Sequence, residues 1–490
     1  MNRRMILRTL GNILLFEGII MVLPLLVSLI YKERKAMYFI ITIAVALAVG
    51  GFLSNLKTED KRIYAKEGFI IVALSWIVVS LIGALPFYMS GEIPSYIDAF
   101  FETVSGFTTT GSSILNDIES LSKGMLFWRC FTHWIGGMGV LVFVLAFLPQ
   151  SEGQNMFLMK AEVPGPVVGK LVSKVKMTAR ILYAIYAVLT LLEIIFLLIG
   201  KMPLYDSIVH AFSTAGTGGY SIKNTSIAYY DSYYIHIVIS VFMLLFGVNF
   251  NLYYLLLLKD FKQILKSEEL KCYLLIVVSF TAIITVNTLG IYGNVAESFR
   301  YSFFQVASII TTTGFATTDF NLWPSLSKVL ILLLMVIGAC AGSTGGGMKI
   351  SRVMMLIKSA RSSIKKMISP RSVTTIKIEG KPVDKQVLDF SYSYFVVYVL
   401  ILLGSMLLIS FENLDMVTII TAPLTCLGNV GPGLGEIIGP VGNFSSLSNF
   451  SKLILSFDML AGRLELFPMI MLCYSFKEWL SASKSKIFKK

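Results

Sequence analysis

Charged side chains are scarce in this sequence. Aspartate, glutamate, lysine and arginine make up 14% of its 490 residues, whereas hydrophobic residues make up 55% and the mean hydropathy is +0.75. Soluble domains carry about 25% charged residues. The composition therefore excludes a soluble globular protein of this length and predicts an integral membrane protein.

Cysteine and histidine are also few. The cysteines stand far apart, at Cys130, Cys272, Cys340, Cys426 and Cys473. No spacing typical of a disulfide framework or a zinc site connects them. The histidines are likewise separate, at His133, His210 and His236. We therefore predict no metal cluster of this kind and no cofactor bound by this chain.

Long apolar stretches, by contrast, are abundant. A helix needs about 20 apolar residues to cross the hydrocarbon core of a bilayer. Ten runs meet that length: 9–30, 37–56, 67–89, 124–148, 181–200, 233–258, 272–291, 326–358 with a break, 388–410 and 452–480. The first run lacks a clear small-residue cleavage site, so we predict a membrane span there and not a signal peptide.

The net charge of +13 comes from basic residues that are concentrated in alternate connections between the runs. Of the 42 lysines and arginines, 31 lie in six segments: 1–8, 57–67, 149–180, 259–271, 349–387 and 477–490. The positive-inside rule makes these segments, and hence both termini, cytoplasmic. The basic loop 32–35 disagrees with this orientation. The segments are interpreted as orienting the chain in the lipid bilayer and attracting headgroups, with docking of a cytosolic protein as the alternative; nucleic acid is not an expected partner.

A short motif recurs four times along the chain. Its copies are 108–112 (TTTGS), 217–221 (TGGYS), 311–319 (TTTGFATTD) and 429–433 (NVGPG). They are 108, 95 and 117 residues apart when aligned on Gly111, Gly219, Gly314 and Gly431. A period near one hundred residues indicates a repeated architecture. In the second copy the sequence GTGG allows more than one register, and we align this copy on Gly219.

Each copy follows a short amphipathic segment. These segments are 94–107, 203–215, 295–310 and 414–425. As helices they would be roughly 18–24 Å long, which is too short to cross about 30 Å of hydrocarbon. We therefore predict that they enter the membrane without crossing it. Irregular backbone after such a helix is tolerated only where it is buried in protein or lines an aqueous cavity.

An acidic residue stands at or near the start of each short segment: Asp98, Asp206, Glu297 and Asp415. A carboxylate there suits the positive end of the helix dipole. The negative end would then point toward the motif, which favours a cation over an anion. Ordinary helix capping at the wet surface explains the same residues, and the two interpretations are compatible.

The motif has the composition of an ion filter. Rings of backbone carbonyls in potassium channels replace the ion's hydration shell, and glycine adopts dihedrals that side chains forbid. We predict that four copies surround one pore and bind potassium through Thr109, Thr110, Gly111, Thr217, Gly218, Gly219, Thr312, Thr313, Gly314, Asn429, Val430 and Gly431. No copy contains the full TVGYG, so fewer well-formed ion sites are expected than in a tetrameric channel.

These patterns predict an all-α polytopic membrane protein. Four repeats of helix, pore helix and helix would surround one pore in a pseudo-fourfold arrangement, preceded by an N-terminal helix pair. The predicted boundaries are 1–57 for the helix pair and 58–150, 151–260, 261–370 and 371–490 for the repeats, with the second helix of the third repeat broken.

Small residues recur 25 to 33 positions after each filter glycine, at Gly136, Gly137, Gly139, Gly247, Gly342 to Gly347 and Gly462. In the third repeat they form the run Gly342, Ser343, Thr344, Gly345, Gly346 and Gly347. A continuous helix would lose about 1 kcal/mol per glycine relative to alanine. We therefore predict a break here, and residues 342–347 are called the glycine loop.

Arg463 lies 32 residues after Gly431, as Gly346 lies 32 residues after Gly314. The glycine loop and Arg463 should therefore meet at similar depth. A positive charge beneath a filter opposes cation passage. We predict that Arg463 and the glycine loop form a gate, with Glu465 available as a counter-charge. The alternative is that Arg463 pairs only structurally, with Glu465 or a backbone carbonyl.

Several motifs together resemble a known family. They are 313–315 (TGF), 342–349 (GSTGGGMK), 431–435 (GPGLG) and 462–465 (GRLE). With the four repeats, they are similar to the Trk/Ktr/HKT superfamily of cation transporters, and the N-terminal helix pair favours its bacterial TrkH branch. The resemblance implies potassium uptake in the cell (inner) membrane, a homodimer, and a cytosolic TrkA-like regulatory protein that binds nucleotides. Segment 348–366, joined directly to the glycine loop, is where such a regulator would act.

Two other interpretations concern the mechanism. The string 342–349 superficially resembles a phosphate-binding loop but lacks the adjacent Gly-Lys-Ser/Thr and follows an apolar span, so an ATP-driven enzyme is not predicted. A secondary transporter that couples potassium to protons or sodium would use broken helices and intramembrane carboxylates. Glu193 and Glu465 are the candidate carboxylates. Reversal potentials with and without proton and sodium gradients separate this alternative from a pore.

Overall fold

The computed structural model describes residues 2–57, 65–139, 175–372 and 375–475, and its regular structure is almost entirely helical. A short antiparallel hairpin pairs β1 (Lys377–Ile378) with β2 (Lys381–Pro382), with Lys377 opposite Pro382. Parts of several predictions lie outside the described residues: the ends of the runs 124–148 and 452–480, and most of the basic segments 57–67, 149–180 and 477–490.

The N-terminal unit docks on the first repeat. It consists of α1 (Arg3–Ile20), α2 (Val22–Ile30) and α3 (Ala36–Ser54). The Glu33 carboxylate accepts hydrogen bonds from the amides of Lys123 (2.6 Å) and Gly124 (3.0 Å). These amides begin the first repeat's second long helix and have no partner within it. One side chain from the N-terminal unit therefore caps a helix of the pore.

Each repeat contains an outer helix, a pore helix and an inner helix, in that order. Repeat 1 comprises α4 (Ala65–Gly83) and α5 (Leu85–Met89), the pore helix α6 (Tyr96–Phe107) and the inner helix α7 (Lys123–Gly137). Repeat 2 comprises α8 (Val175–Ile199), the pore helix α9 (Leu204–Ala215), and the inner α10 (Tyr233–Phe246) and α11 (Phe250–Leu257), followed by α12 (Phe261–Lys266).

The third and fourth repeats follow the same plan. Repeat 3 comprises α13 (Glu268–Tyr292), the pore helix α14 (Val295–Ile310), and the inner α15 (Ser325–Ile337) and α16 (Ile350–Ile368). Repeat 4 comprises α17 (Lys385–Ile409), the pore helix α18 (Met416–Gly428) and the inner α19 (Asn449–Arg463), after which residues 467–475 are again helical.

The pore helices have 12, 12, 16 and 13 residues. At 1.5 Å per residue they are about 18–24 Å long, too short to span a bilayer. Asp98, Asp206 and Glu297 lie in the first turns of α6, α9 and α14. Asp415 caps α18 by accepting the amide of Thr418 at 3.0 Å. Each pore helix therefore carries its acid at the positive end of its dipole.

Among the described residues, six helices are long and apolar enough to cross a membrane, or seven if the bent pair α10 and α11 is one span. The six correspond to the predicted runs 9–30, 37–56, 67–89, 181–200, 272–291 and 388–410. The other four predicted runs contain the inner helices. The share of buried residues is 28%, 28% and 22% in the spans of the outer helices α8, α13 and α17, and 61% in the span of α4 and α5. Both the N-terminal unit and the pore helix α6 pack on α4.

The prediction of unbroken inner helices over 233–258 and 452–480 is wrong. Helices α10 and α11 meet at 90°. In repeat 4, α19 ends at Arg463, and Glu465 and Leu466 have φ values of 62° and 65° before the helix resumes. Helix α7 ends at Gly137, and the later part of its predicted run lies outside the described residues.

The break in repeat 2 is possible because repeat 3 pairs with it. The amide of Cys340 donates to the carbonyl of Gly247 (3.1 Å), and the amide of Phe250 donates to that of Gly342 (3.0 Å). Backbone groups that lose their partners where one helix breaks thus bind the irregular segment of another helix. At membrane depth, unpaired backbone groups would otherwise have no water to bind. The sequence of repeat 2, taken by itself, does not indicate that repeat 3 supplies these partners.

The packing of α1 on α3 yields a stability prediction. A side chain at Gly50 would meet the Gly11 carbonyl and the Leu15 amide at 2.9 Å, whereas one at Gly51 would meet nothing within 4 Å. We expect Gly50→Val to lower the apparent melting temperature in detergent, because overpacking costs about 1–3 kcal/mol. Gly51→Val, the matched control, should leave it unchanged. Equal melting temperatures for the two variants, measured by fluorescence-detected size exclusion after heating, would contradict this packing.

Candidate pore and gate

The loops after the four pore helices share one backbone pattern. In each, the predicted filter glycine and the residue two before it have positive φ values. The pairs are 53° and 82° for Thr109 and Gly111, 53° and 76° for Thr217 and Gly219, 57° and 83° for Thr312 and Gly314, and 53° and 108° for Asn429 and Gly431. Residues other than glycine rarely adopt positive φ. Their recurrence at one position shows a shared geometry, in which Gly219 occupies the glycine position of the second copy.

These loops abut one another in a closed ring, called here the filter ring. A methyl group on each glycine would collide with the carbonyl oxygen that precedes the glycine of the next copy. The colliding pairs are Gly111 with Gly218, Gly219 with Thr313, Gly314 with Val430, and Gly431 with Thr110. The contacts run from repeat 1 to 2, 3 and 4 and back to 1. Only glycine permits this approach at all four places.

Hydroxyl groups link the residues just before the glycines. The Oγ1 atoms of Thr108 and Thr110 lie 2.8 Å apart, as do those of Thr311 and Thr313. Asn429 Nδ2 donates to Thr110 Oγ1 at 2.9 Å, which joins the fourth loop to the first. All of these side chains are at most 1% exposed. The filter ring is therefore held together by polar contacts inside the protein.

A polar vestibule opens on one side of the filter ring. All four ring glycines line it, together with Asn116, Asn224 and Asn443. Asn443 Nδ2 donates to Asn116 Oδ1 at 3.0 Å. At the rim, the hydrogen bond from the Lys223 ammonium (2.9 Å) holds the pKa of the Glu119 carboxyl below its usual value. The vestibule gives water and ions access to the ring.

Behind the second loop lies a support that the sequence analysis missed. The His133 ring stacks on Tyr220 with centroids 4.1 Å apart, and a methyl group on Gly218 would collide with that imidazole. The Arg129 guanidinium lies 3.4 Å from the Tyr220 ring centroid and pairs with Glu102 at 2.6 Å. The sequence did indicate this support, because Arg129 and His133 are polar residues in an apolar run and Glu102 is an acidic residue within a pore helix. A buried ion pair is sustained only with such close partners.

The glycine loop lies against the face of the filter ring opposite the vestibule. It belongs to the non-helical residues 338–349, in which Gly338, Gly342, Gly347 and Lys349 have φ values between 69° and 75°. The Gly346 amide donates to Thr312 Oγ1 at 2.6 Å. Side chains at Gly345 and Gly346 would meet the carbonyls of Thr311 and Gly428.

The remaining loop residues lie toward the second inner helix. Gly342 is next to Asn249, and Ser343 Oγ donates to the Cys340 carbonyl at 2.6 Å. Thr344 Oγ1 donates to the Phe246 carbonyl at 3.2 Å. The glycine loop therefore bridges the filter ring and the break between α10 and α11.

Arg463 joins three repeats beneath the filter ring. It is 7% exposed, and Nη1 donates to the Thr344 carbonyl at 2.8 Å. Nη2 donates to the carbonyls of Gly137 (2.6 Å) and Gly136 (2.5 Å) at the end of α7. The loop and the arginine thus meet directly. These bonds to backbone carbonyls also belong to the structural interpretation of Arg463, and both roles fit the geometry.

Glu465, the expected counter-charge, forms an ion pair with Arg352 of α16. The Arg352 guanidinium also lies 3.9 Å from the centroid of Tyr394. Lys349, which is 1% exposed, donates to the Gly345 carbonyl. Positive side chains therefore surround the glycine loop, and Glu465 ties the break after α19 to the helix that follows the loop.

Four pore helices, one closed ring of loops and irregular backbone beneath it define a multi-pass helical membrane protein. A family model described as TrkH, cation transport protein, matches residues 35–478. The chain belongs to the TrkH family. It is accordingly a transporter and not an enzyme.

Similar proteins cover nearly the whole chain. The Trk system potassium uptake protein TrkH of Salmonella typhimurium is 37% identical over 480 residues, covering 96% of this chain and 98% of that relative. The Trk system potassium uptake protein TrkG of Escherichia coli is 32% identical over 479 residues, with coverage of 96% and 98%. The crystal structure of the potassium transporter TrkH from Vibrio parahaemolyticus superposes with a TM-score of 0.86 at 33% identity, covering 96% of this chain and 98% of its own.

The register of the second filter loop is testable. We expect Gly219→Ala to reduce rubidium uptake into proteoliposomes about tenfold, because an L-residue at positive φ costs about 1–2 kcal/mol and its methyl group would strike the Thr313 carbonyl. Gly290→Ala is the control, since Gly290 has open space around it. Normal uptake by Gly219→Ala would show that another glycine of the second copy forms the filter.

Proposed function

We propose that this chain takes up potassium across the cytoplasmic membrane through the filter ring. The observation that carries the proposal is the closed order of contacts among Gly111, Gly219, Gly314 and Gly431 and the carbonyls facing them. Carbonyl oxygens around one axis replace the water shell of a dehydrated cation. The backbone oxygens of the twelve predicted filter residues are the proposed potassium ligands, and the potassium ion is cargo.

The proposed gate is the glycine loop together with Arg463. The loop occupies the exit from the filter ring, and the guanidinium beneath the ring repels a cation most effectively where little water screens it. Single hydrogen bonds such as those from Gly346 to Thr312 and from Arg463 to Thr344 contribute about 1 kcal/mol each, or somewhat more when charged. A gate held by a few such bonds can be released by a modest change in free energy.

The proposal includes orientation, a regulator and a homodimer. The gate side is cytoplasmic, with both termini inside, in agreement with the basic segments. Helix α16 leaves the glycine loop directly, and its end exposes Met367 (82%) and Ile368 (78%) among lysines. We assign this helix to a cytosolic TrkA-like regulator that binds nucleotides. Relatives named as parts of a Trk system support such a partner.

Coupled transport with protons or sodium is less well supported than a pore. Buried intramembrane carboxylates are present at Glu17, Glu193 and Asp458. Asp458 accepts a hydrogen bond from Ser405 at 2.8 Å, between α17 and α19. The residues that line the vestibule do not include any of the three. A coupling site would be expected to open to the ion path.

The gate is tested by Arg463→Ala and, separately, by deletion of Gly345 and Gly346. Each change should raise rubidium uptake into proteoliposomes about tenfold without a regulator, since each removes a contact that closes the exit. The preference for potassium over sodium should persist because neither change replaces a filter residue or one of the ring carbonyls. Arg300→Ala is the matched control: Arg300 is as buried as Arg463 (6% against 7% exposed) but pairs with Asp231. Unchanged uptake in both gate variants would refute the proposed gate.

A further inference from the structure

One carboxylate holds both ends of the irregular segment that contains the glycine loop. Glu269 Oε1 accepts the amide of Ala341, just before the loop, at 2.7 Å. The same oxygen accepts the amide of Ser351, just after the loop, at 3.2 Å. Glu269 itself lies in the first turn of α13, the outer helix of the same repeat. The two bonds bring the ends of the segment to one point on a long, regular helix.

Both amides need an acceptor. Ser351 is in the first turn of α16, where amides lack a partner within the helix. Ala341 lies in irregular backbone and is 4% exposed, where an unpaired amide is costly. A carboxylate is the strongest acceptor among side chains and also suits the positive end of α16. Removing it leaves the amide of buried Ala341 and the amide of half-buried Ser351 without this acceptor, which favours a rearrangement of the segment.

We propose that Glu269 is a positioning residue that holds the glycine loop closed beneath the filter ring. This inference rests on the proposed function of the loop as the gate. The carboxylate acts through the backbone of the segment: its hydrogen bonds go to Ala341 and Ser351, and within the described part of the chain none goes to the filter ring. Its loss should therefore change how often the pore is open and leave ion preference intact.

Glu269 and the two tied ends of the segment border an open cleft. Glu269, Ala341 and Ser351 line one wall of a cleft of about 430 Å³, and the hairpin residues Ile378 and Lys381 line another part. The closed segment therefore has open space beside its two tied ends.

The neighbouring Glu268 provides a matched control. It stands in the same first turn of α13, but its carboxylate pairs with Lys358, and both side chains are about one-third exposed (36% and 31%). Exposed ion pairs of this kind contribute little. Glu268→Ala removes the same charge from the same helix end and leaves the bonds to Ala341 and Ser351 in place.

The test compares Glu269→Ala, Glu269→Asp, Glu269→Gln and Glu268→Ala in the full chain, reconstituted in liposomes without a regulator. We expect Glu269→Ala to raise rubidium uptake about fivefold and Glu269→Asp to raise it less, because aspartate reaches only one of the two amides. Glu269→Gln retains an acceptor oxygen and should restore low uptake, and Glu268→Ala should resemble the unmodified chain. The preference for potassium over sodium should be the same in all four variants, whereas a general loss of structure would change it.

Several outcomes would overturn the inference. Uptake unchanged in Glu269→Ala and Glu269→Asp, while Arg463→Ala raises it, would refute the role of Glu269 and leave the proposed gate standing. Uptake unchanged in all of these variants would refute both. An equal rise in Glu268→Ala would assign the effect to helix charge or to the bridge from Glu268 to Lys358 of α16, and would overturn the role of the two bonds. If Glu269→Ala does not elute as a monodisperse species, the rubidium uptake of Glu269→Asp is compared with that of Glu269→Gln instead.

Discussion

Backbone amides and carbonyls have no water to bind inside a bilayer, and this constraint governs the whole structure. The chain breaks its helices at membrane depth in the filter loops and again in the inner helices. The breaks lie close together, and backbone groups freed at one break form hydrogen bonds at another. The carbonyl of Gly247 in repeat 2 binds the amide of Cys340 in repeat 3, and the carbonyls at the end of α7 bind Arg463 of repeat 4. Irregular backbone in one repeat is therefore stable only because the other repeats supply partners.

This mutual pairing explains why the filter ring and the glycine loop are mechanically close. The hydroxyl of Thr312, within the filter loop, accepts the amide of Gly346. The guanidinium of Arg463 connects the glycine loop to α7. At the other end, Glu269 and Glu465 anchor the loop and the following helix α16 through Ser351 and Arg352. A small number of bonds therefore connects α16 with the filter ring, and the proposed regulation would act through them.

The repeat architecture was readable from sequence because it depends on length and composition. Apolar runs, short segments that begin with acids, and one glycine per copy place the pore helices within a few residues. The break in the third inner helix follows from its glycine content. The bend at Gly247 and the break at Glu465 were missed, since their stability comes from Phe250 and Arg352 contacts with other repeats. Contacts across repeats, including His133 behind Gly218, lie beyond what local composition encodes.

Four loops close one ring, and potassium is proposed to bind to the carbonyl oxygens inside it. The most direct measurement is anomalous diffraction from crystals of the full chain grown with rubidium. We expect a rubidium peak inside the filter ring, at similar distances from the carbonyl oxygens of Thr110, Gly218, Thr313 and Val430. Rubidium peaks found only outside the ring, with none among these four carbonyls, would contradict it.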